Sequence, residues 1–306
     1  MIDLVRYGND LVLTVRDEQD GKTLPEVLDI SAKTGYLLQQ EKRLVLNHKP
    51  MDILHILHKG ERITIHLKEE PLDYTPADRA CRVVYEDDWI YIAHKDPGII
   101  VHDGFDNKDT FAAQAAAWQA RNGIEAPVRY IHRLDRETSG LILFVKHPLF
   151  QPLFENMLRE RRIHRSYLAV CWGKVRPGQR FHWTDPIGRD RHVSGRYRVS
   201  PSGKPAETDA VVLLRDYPFV VLKCELLTGR THQIRVHTSH AGLLIVNDPL
   251  YGRSTKDFPR MGLYAYEMRF IHPFTGEPVL VQDKPDPSLR RFRGLQDALD
   301  KYQVRK

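Results

Sequence analysis

Apolar positions occur along most of the 306-residue chain in short runs of strand length, separated by polar turns. Because these runs mostly follow one another, without regular alternation with helices, the pattern predicts an α+β fold around a mixed, largely antiparallel sheet. The predicted strands are CRVVYE and WIYIAHK, joined as a hairpin, then LILFVKH, SYLAVCWG, ETDAVVLLRDY, PFVVLKCELL, LYAYEMRF and EPVLVQD.

Helical spacing is confined to a few segments, and one long stretch has neither pattern. Residues 177–205 are rich in Gly, Pro and Arg, which predicts a loop or mobile hairpin. The predicted helices are 24–40 with a break at Gly35, 110–121 with Thr110 as N-cap, 148–162, a helix within TGRTHQIRVHTSHAG that ends at Gly242, and 287–303.

A change in composition near residue 75 predicts two domains. The segment EEPLDYTPADRA is acidic and contains two prolines, as expected of a linker, so we assign residues 1–75 and 76–306 to separate domains. Residues 1–75 carry 10 basic and 13 acidic side chains, whereas the remainder carries 36 basic and 27 acidic ones. The basic body of the protein favours an anionic partner, with nucleic acid as the first candidate.

Other bulk features narrow the class of protein. The sequence has no run of about 18 apolar residues, so we expect no membrane span. Cys81, Cys171 and Cys224 lie far apart within apolar runs, which predicts buried free thiols in a reducing compartment. The N-terminal residues do not resemble a secretion signal, so we expect a cytoplasmic protein, and nothing in the sequence requires more than a monomer.

Two potential ligand motifs fail on their spacing. GKT at 21–23 lacks the upstream glycine of a phosphate loop, since Arg16 occupies that position. His232, His237 and His240 form HxxxxHxxH, but only the last two share a helical face and no carboxylate lies at ligand spacing. We therefore predict no metal site.

The stretch YIHRLDRETSG at 130–140 places charges directly before the buried strand LILFVKH. An aspartate in such a turn commonly caps local backbone amides. Here Arg133 and Arg136 flank Asp135, and Thr138-Ser139-Gly140 fixes its position at the rim of a core. A partly desolvated carboxylate stays charged only beside a cation, and a charged one can act as nucleophile or base.

Two arginine-containing stretches are candidates for that cation and for RNA contacts. LLTGRTHQIRVH contains Arg230 in a turn, suited to bind phosphate, and Arg235 within the predicted helix, where snorkelling to solvent is the ordinary role. RERRIHRSYLAV contains four arginines, among them Arg162 and Arg165, before a strand that carries Tyr167. A basic run is usually a solvated helix end, but beside a strand aromatic it matches a surface for phosphates and stacked bases.

Taken in order, these motifs resemble the RluA family of RNA pseudouridine synthases over roughly residues 82 to 283. HRLDRETSGLILFVK resembles the family motif with the catalytic aspartate, here Asp135, and we expect His132 and Arg133 of that motif to contact RNA. The resemblance implies that Arg133 enters the RNA when the target base leaves. It also implies that Tyr167 of RSYLAV stacks on that base and that Arg235 of TGRTHQIRVH pairs with the aspartate.

The resemblance implies an isomerase that acts on ribosomal or transfer RNA without metal or cofactor. Pseudouridine formation breaks the bond between uracil N1 and ribose C1′ and joins C5 to C1′, with no net redox change. Residues 24–67 resemble an S-four-type RNA-binding domain. The chain departs from the family at HKDPG, where NKPxG is usual, and at residues 243–247, where HPIVG is common.

Two other functions remain open at this stage. A catalytically inert RNA-binding or ribosome-assembly factor on the same fold would show the same basic bias, but it would not need Asp135, Tyr167 and Arg235 together. A metal-dependent hydrolase using the histidines would be sensitive to chelators. The ordered set of motifs favours the isomerase.

Overall fold

The first part of the chain folds around a five-stranded antiparallel sheet with two short helices. The computed structural model describes residues 1–284 and 287–302. The strands run in the order β1-β2-β5-β3-β4. The elements are β1 (Asp3–Tyr7), β2 (Asp10–Thr14), α1 (Leu24–Leu28), α2 (Ala32–Gln40), β3 (Leu44–Leu46), β4 (Lys49–Pro50) and β5 (Arg62–His66).

The helical segment at 24–40 is interrupted, but not at the predicted residue. The chain leaves α1 at Asp29, which has a left-handed backbone (φ 56°), and re-enters a helix at Ser31, whose hydroxyl accepts a hydrogen bond from Thr34 N–H. Gly35 lies inside α2, where a Cβ atom would approach Ile53 Cγ1 to 2.7 Å. The glycine therefore allows close packing, and the prediction of a break there was wrong.

The remainder is built on one eleven-stranded sheet, which confirms the predicted mixed and largely antiparallel arrangement. Its order is β11-β14-β15-β10-β17-β9-β7-β6, with β16 beside β10, β18 beside β17 and β8 beside β9. Among the ladders between these strands, only β17 with β9 is parallel. The strands are β6 (Arg82–Glu86), β7 (Ile90–Lys95), β8 (Arg129–Tyr130), β9 (Ser139–Val145), β10 (His164–Trp172), β11 (Arg180–Trp183), β14 (Thr208–Asp216), β15 (Phe219–Leu226), β16 (Leu244–Ile245), β17 (Leu263–Ile271) and β18 (Pro278–Gln282).

The helices of this part differ from prediction mainly at their ends. Thr110 caps α3 (Phe111–Arg121) as predicted, accepting a hydrogen bond from Ala113 N–H. The predicted helix 148–162 is a 3-10 turn at Pro148–Phe150 followed by α4 (Gln151–Arg159). α5 spans Gln233–His240, and Gly242 follows it with φ 75°. The predicted helix 287–303 is a 3-10 turn at Pro287–Arg291 and α6 (Leu295–Lys301), and residue 303 lies outside the described residues.

The arginine-rich stretch 177–205 is more ordered than predicted. It contains β11 and a separate hairpin of β12 (Ile187–Arg189) and β13 (Tyr197–Val199). The Ile187 backbone also forms a bridge with Lys204, which fixes the base of the hairpin. This hairpin packs through Tyr197 against Tyr251, in the loop that follows β16.

Apolar side chains form layers on the eleven-stranded sheet and also connect it to the five-stranded sheet of the first part of the chain. Residues Leu11 and Ile63 of the small sheet belong to the same buried cluster as Phe154 and Phe274 of the larger part. A second cluster covers the face packed against α3, and a third covers the face packed against α6. Within the described residues, none of the helices is both long and apolar enough to cross a bilayer.

Candidate active site

A cleft of about 820 Å³ opens next to the loop that connects β8 to β9. Most of its lining comes from the loop between β8 and β9, the turn before β10 with the start of that strand, and the turn from β15 into α5. Residues 100–102, one side of α4 and the pair Pro249-Leu250 complete it. Asp135, Tyr167 and Arg235 all line it. The fold thus brings together the three residues that the sequence predicted to act together.

Asp135 is held in place by its own loop and by a buried lysine beneath it. Its backbone carbonyl accepts a hydrogen bond from Thr138 N–H at 3.1 Å. The Lys95 ammonium, which is fully buried, donates to the carbonyls of Asp96, Ile99 and Arg136 at 2.8–3.0 Å. Burial lowers the pKa of Lys95 to about 8, although Glu137 and Asp135 oppose that shift. This lysine ties the loop of Asp135 to the end of β7.

Gly140 allows the chain to pass from this loop into the centre of the sheet. Its φ is 115°, and a Cβ atom there would lie 2.2 Å from the Ala265 carbonyl oxygen on β17. Only a glycine permits both the backbone conformation and the close approach to the parallel neighbour. Asp135 therefore lies at the rim of the core, with its side chain about 24% exposed.

Arg235 bridges two carboxylates at the floor of the cleft. Its Nη1 donates to Asp135 Oδ2 at 3.0 Å, while Nε and Nη2 donate to Asp248 Oδ2 and Oδ1 at 2.7 and 2.9 Å. The side chain of Arg235 is 4% exposed and that of Asp248 is 0% exposed. Burial alone would lower the pKa of Arg235, but Asp248 and then Asp135 outweigh it and raise the pKa above its ordinary value.

Asp248 is in turn fixed by the backbone after it. Its Oδ1 accepts hydrogen bonds from the N–H groups of Leu250 and Tyr251 at 2.9 and 3.1 Å. The Arg235 guanidinium also lies over the Tyr251 ring, 5.0 Å from its centre. The planar guanidinium is therefore constrained on its edges and on one face, so its Nη1 donor points at Asp135 without reorganisation.

His232 approaches the same oxygen of Asp135 that Arg235 contacts. Its Nε2 is 3.8 Å from Asp135 Oδ2, and its Nδ1 is 2.9 Å from the Tyr251 hydroxyl. The same hydroxyl accepts a hydrogen bond from Tyr197 N–H at 2.7 Å, which connects the β12–β13 hairpin to the cleft. Burial lowers the pKa of His232, with Asp135 opposing and Arg235 adding to the shift, so the neutral imidazole is favoured.

Tyr167 supplies the apolar wall. It lies on β10, is 4% exposed and belongs to the buried cluster that includes Leu134 and Ile234. Burial raises the pKa of its phenol, an effect that Arg165 opposes and Asp135 increases. The ring is thus a rigid, protonated platform within the cleft that carries the carboxylate.

Comparison with known proteins identifies the family of this fold and cleft. Residues 89–240 match the family model described as RNA pseudouridylate synthase. An RNA pseudouridine synthase of Bacillus subtilis, YhcT, is 34% identical over 289 residues, which cover 92% of this chain and 95% of the relative. The chain belongs to the RluA family of RNA pseudouridine synthases. It is an isomerase that converts uridine in RNA to pseudouridine.

Two further comparisons agree with that assignment. Ribosomal large subunit pseudouridine synthase D of Neisseria meningitidis serogroup A is 34% identical over 292 residues, covering 89% of this chain and 78% of the relative. The structure of human RNA pseudouridylate synthase domain containing 1 superposes with a TM-score of 0.57 at 27% identity, over 71% of this chain and 88% of that chain.

The predicted RNA-contacting residues of the synthase fall into three groups. Arg133 and Arg230 are exposed and line the cleft, and Arg230 Nε also donates to the Pro205 carbonyl at 2.8 Å. His132 and Arg165 line it too, but they are 8% and 9% exposed. Arg162 is exposed, pairs with Glu160 at 2.8 Å and does not belong to the cleft lining, because it lies in the turn between α4 and β10.

Two of the three histidines considered as metal ligands, His232 and His237, have hydrogen-bond partners in the protein. Besides His232 with Tyr251, His237 is hydrogen bonded to the Thr208 hydroxyl and the Asp185 carbonyl, both at 3.0 Å. Within residues 1–284 and 287–302, no group of three or more His, Cys, Asp or Glu side chains could hold a metal ion. All three cysteines are buried free thiols, as predicted.

Asp248, His232 and Tyr251 were not predicted to belong to the site of the synthase. Asp248 follows the apolar run LLIV and Asn247, whereas Asp135 precedes its apolar strand and is flanked by arginines, so the pattern that singled out Asp135 does not mark Asp248. Nothing comparable marks Tyr251 or His232, since their importance comes from contacts across the β12–β13 hairpin and α5.

Proposed function

We propose that this synthase modifies uridines of ribosomal RNA and that the Asp135 carboxylate reacts with the target nucleotide. The observation that carries the chemical part is the Arg235 guanidinium, which holds the carboxylate at 3.0 Å within a cleft beside Tyr167. The choice of ribosomal RNA is supported by relatives of the chain that are named ribosomal large subunit pseudouridine synthases, from Neisseria and Xanthomonas among others.

The reaction requires a charged carboxylate near the sugar and a closed pocket for the freed uracil. A carboxylate can attack ribose C1′, add to the uracil ring or remove a ribose 2′ proton, and each route begins from the ionised form. In every route the N1–C1′ bond breaks, the C5–C1′ bond forms and the proton of C5 is released. The Arg235 contact and the low exposure of the surrounding groups suit Asp135 to this role.

Tyr167 and Arg133 divide the recognition of the target nucleotide. A uridine within a helix must leave the base stack before it can reach Asp135, at a cost of a few kcal/mol. Stacking on the buried Tyr167 ring returns about 1–3 kcal/mol of that cost. Arg133, exposed at the cleft, occupies the vacated position in the RNA, while Arg230 holds a phosphate nearby.

The division into two domains near residue 75 also remains a proposal. The five-stranded sheet ends with β5 at His66, and strands of the larger sheet begin with β6 at Arg82. The intervening segment, residues 67–81, has neither helix nor strand. We assign residues 1–75 to an S-four-like RNA-binding domain that carries the RNA alongside the catalytic cleft.

The experiment is to map pseudouridines in total RNA from cells with and without the gene. We expect one or more ribosomal positions to lose the modification on deletion. Wild-type protein should restore them, whereas Asp135→Asn should not. Loss confined to transfer RNA would refute the ribosomal assignment, and restoration by Asp135→Asn would refute the role of the carboxylate.

A further inference from the structure

Arg165 is a buried cation without a partner in the protein. It lies at the start of β10, is 9% exposed and lines the catalytic cleft. Its Nε is buried without a hydrogen-bond partner, and no ion pair or side-chain hydrogen bond of Arg165 occurs within the part of the chain that the structure describes. A buried guanidinium N–H without an acceptor is unusual in a native protein.

Other buried cations of the molecule are satisfied by the fold. Lys95 donates to three carbonyls, Lys223 pairs with Glu267 at 3.3 Å, and Arg235 lies between two carboxylates. Burying a charge without a counterion is costly, and natural proteins rarely retain such a charge unless a ligand completes it. Arg165 lines the cleft, so an anion that enters the cleft could supply this partner.

The neighbours of Arg165 define where that anion would lie. Tyr167 is two residues along the same strand, so both side chains project toward the cleft, which both of them line. A Cβ atom added to Gly229 would lie 3.6 Å from Arg165 Nη2 and 3.8 Å from Nη1, so the turn into α5 passes close over the guanidinium. The site is bounded by the stacking platform on one side and this glycine turn on the other.

His132 adds a second unsatisfied group to the same part of the cleft. Its Nε2 accepts a long hydrogen bond from Leu143 N–H at 3.4 Å, and its Nδ1 is buried without a partner. Burial, with Arg165 adding to the effect, lowers the pKa of His132 to about 3, so the imidazole is neutral at physiological pH.

We propose that Arg165 is the internal receptor for one phosphate of the RNA, the phosphodiester next to the flipped uridine, and that it fixes the register of the strand over Asp135. This inference rests on the proposed function of the cleft. Unlike an exposed arginine, Arg165 can bind only a phosphate that has entered the cleft with its nucleotide. The free enzyme bears the cost of an uncompensated charge, and bound RNA removes it.

The experiment combines a protein variant with a single uncharged linkage in the RNA. Single-turnover isomerisation and RNA affinity are measured for wild type and Arg165→Met, with a minimal substrate in which each phosphate around the target is replaced in turn by a methylphosphonate. Arg165→Met should weaken binding of unmodified RNA about 10- to 100-fold. A methylphosphonate at one linkage adjacent to the target should weaken RNA binding by wild type by a similar factor. The same methylphosphonate should not weaken binding by Arg165→Met any further.

The control is Arg291→Met, because Arg291 does not line the cleft and has partners in Asp216 at 3.4 Å and Asp257 at 3.7 Å. In this variant the methylphosphonate effects should equal those of wild type at every linkage. Arg165→Lys, which keeps the charge, should recover part of the affinity. The proposal would be overturned if every methylphosphonate beside the target weakened RNA binding by the same factor in wild type and in Arg165→Met.

Thermal unfolding of the free protein separates ligand binding from a structural role. Arg165→Met removes an unpaired buried charge, so its Tm should equal or exceed that of wild type, whereas Arg291→Met should lower Tm. A lower Tm for Arg165→Met than for Arg291→Met would overturn the proposal. If wild type isomerises no ribosomal substrate, the proposed function fails. If wild type isomerises and Arg165→Met matches it, this inference alone fails.

Discussion

Two buried arginines line the same cleft, and their surroundings are opposite. Arg235, on α5, contacts Asp135 and Asp248, and the second of these is completely buried. Arg165, on β10, has no carboxylate partner within the described residues. The first cation is thus part of a finished internal network that orients the reacting group, whereas the second is complete only when an anion enters the cleft.

The difference teaches how one cleft can be both rigid and receptive. A buried ion pair that is well hydrogen bonded resists rearrangement, and removing one partner leaves a charge that water cannot reach. A buried charge without a partner does the reverse, since removing it relieves a cost. A neutral substitution in the ion-pair network of Arg235 should therefore lower the stability of the free protein, whereas a neutral substitution of Arg165 should maintain or raise it.

The largest effect on stability is expected from Asp248→Asn. The amide group would face Arg235 donors at positions where a carboxylate now accepts at 2.7 and 2.9 Å, leaving a buried charge with one fewer counterion. We expect the free energy of unfolding to fall by about 3–5 kcal/mol. Urea unfolding followed by circular dichroism measures it. The isomerisation rate should fall as well, because Asp248 would no longer hold the guanidinium in the orientation that directs Nη1 at Asp135.

Asp216→Asn is the matched control for that substitution. Asp216 also pairs with an arginine, Arg291 at 3.4 Å, but its side chain is 51% exposed. An exposed pair contributes less than about 1 kcal/mol, so this variant should remain close to wild type in stability and activity. A similar small change in Asp248→Asn would mean that the internal network around Arg235 is not what holds the cleft together.

A smaller effect is expected in the pH dependence of stability, through His132. Its folded pKa of about 3 is below the ordinary value near 6.5, so between these values the unfolded chain binds a proton that the folded chain does not. The free energy of unfolding therefore falls as the pH drops from 6.5 toward 3. Between pH 6.5 and 4.5 the contribution of His132 is about 2 kcal/mol.

Urea unfolding at a series of pH values in that window tests this contribution. His132→Gln should flatten the decline relative to wild type. Arg165→Met should flatten it only in part, because burial is the larger cause of the His132 shift and Arg165 the next. Parallel curves for wild type and His132→Gln would contradict the burial of a neutral imidazole beside Arg165.

Sequence patterns predicted the elements and residues whose evidence is local. Short apolar runs bounded by polar turns located the strands of the large sheet, and ordered motifs located Asp135, Tyr167 and Arg235, which meet in the cleft. Helix interruptions were less predictable. A glycine at 35 can serve as a break or as a point of close packing, and only its contact with Ile53 decides between them.

The arginine run at 159–165 shows why the rest of the site could not be predicted. Composition treats Arg162 and Arg165 alike, but the first lies in a turn facing solvent and the second lies on a strand facing the cleft. That difference depends on where α4 ends and β10 begins. Tyr251 and Asp248 likewise acquire their roles from long-range contacts with Tyr197 and Arg235.

The most direct test of the account is the activity of Asp135→Asn on RNA that carries tritium at uridine C5. Tritium release reports the loss of the C5 proton, and filter binding on the same samples reports RNA affinity. We predict that release falls at least about 10³-fold, because the charge is lost. Affinity should stay within about threefold, since stacking and phosphate contacts persist. Release at the wild-type rate by this variant would contradict the assignment of Asp135 as the reacting carboxylate.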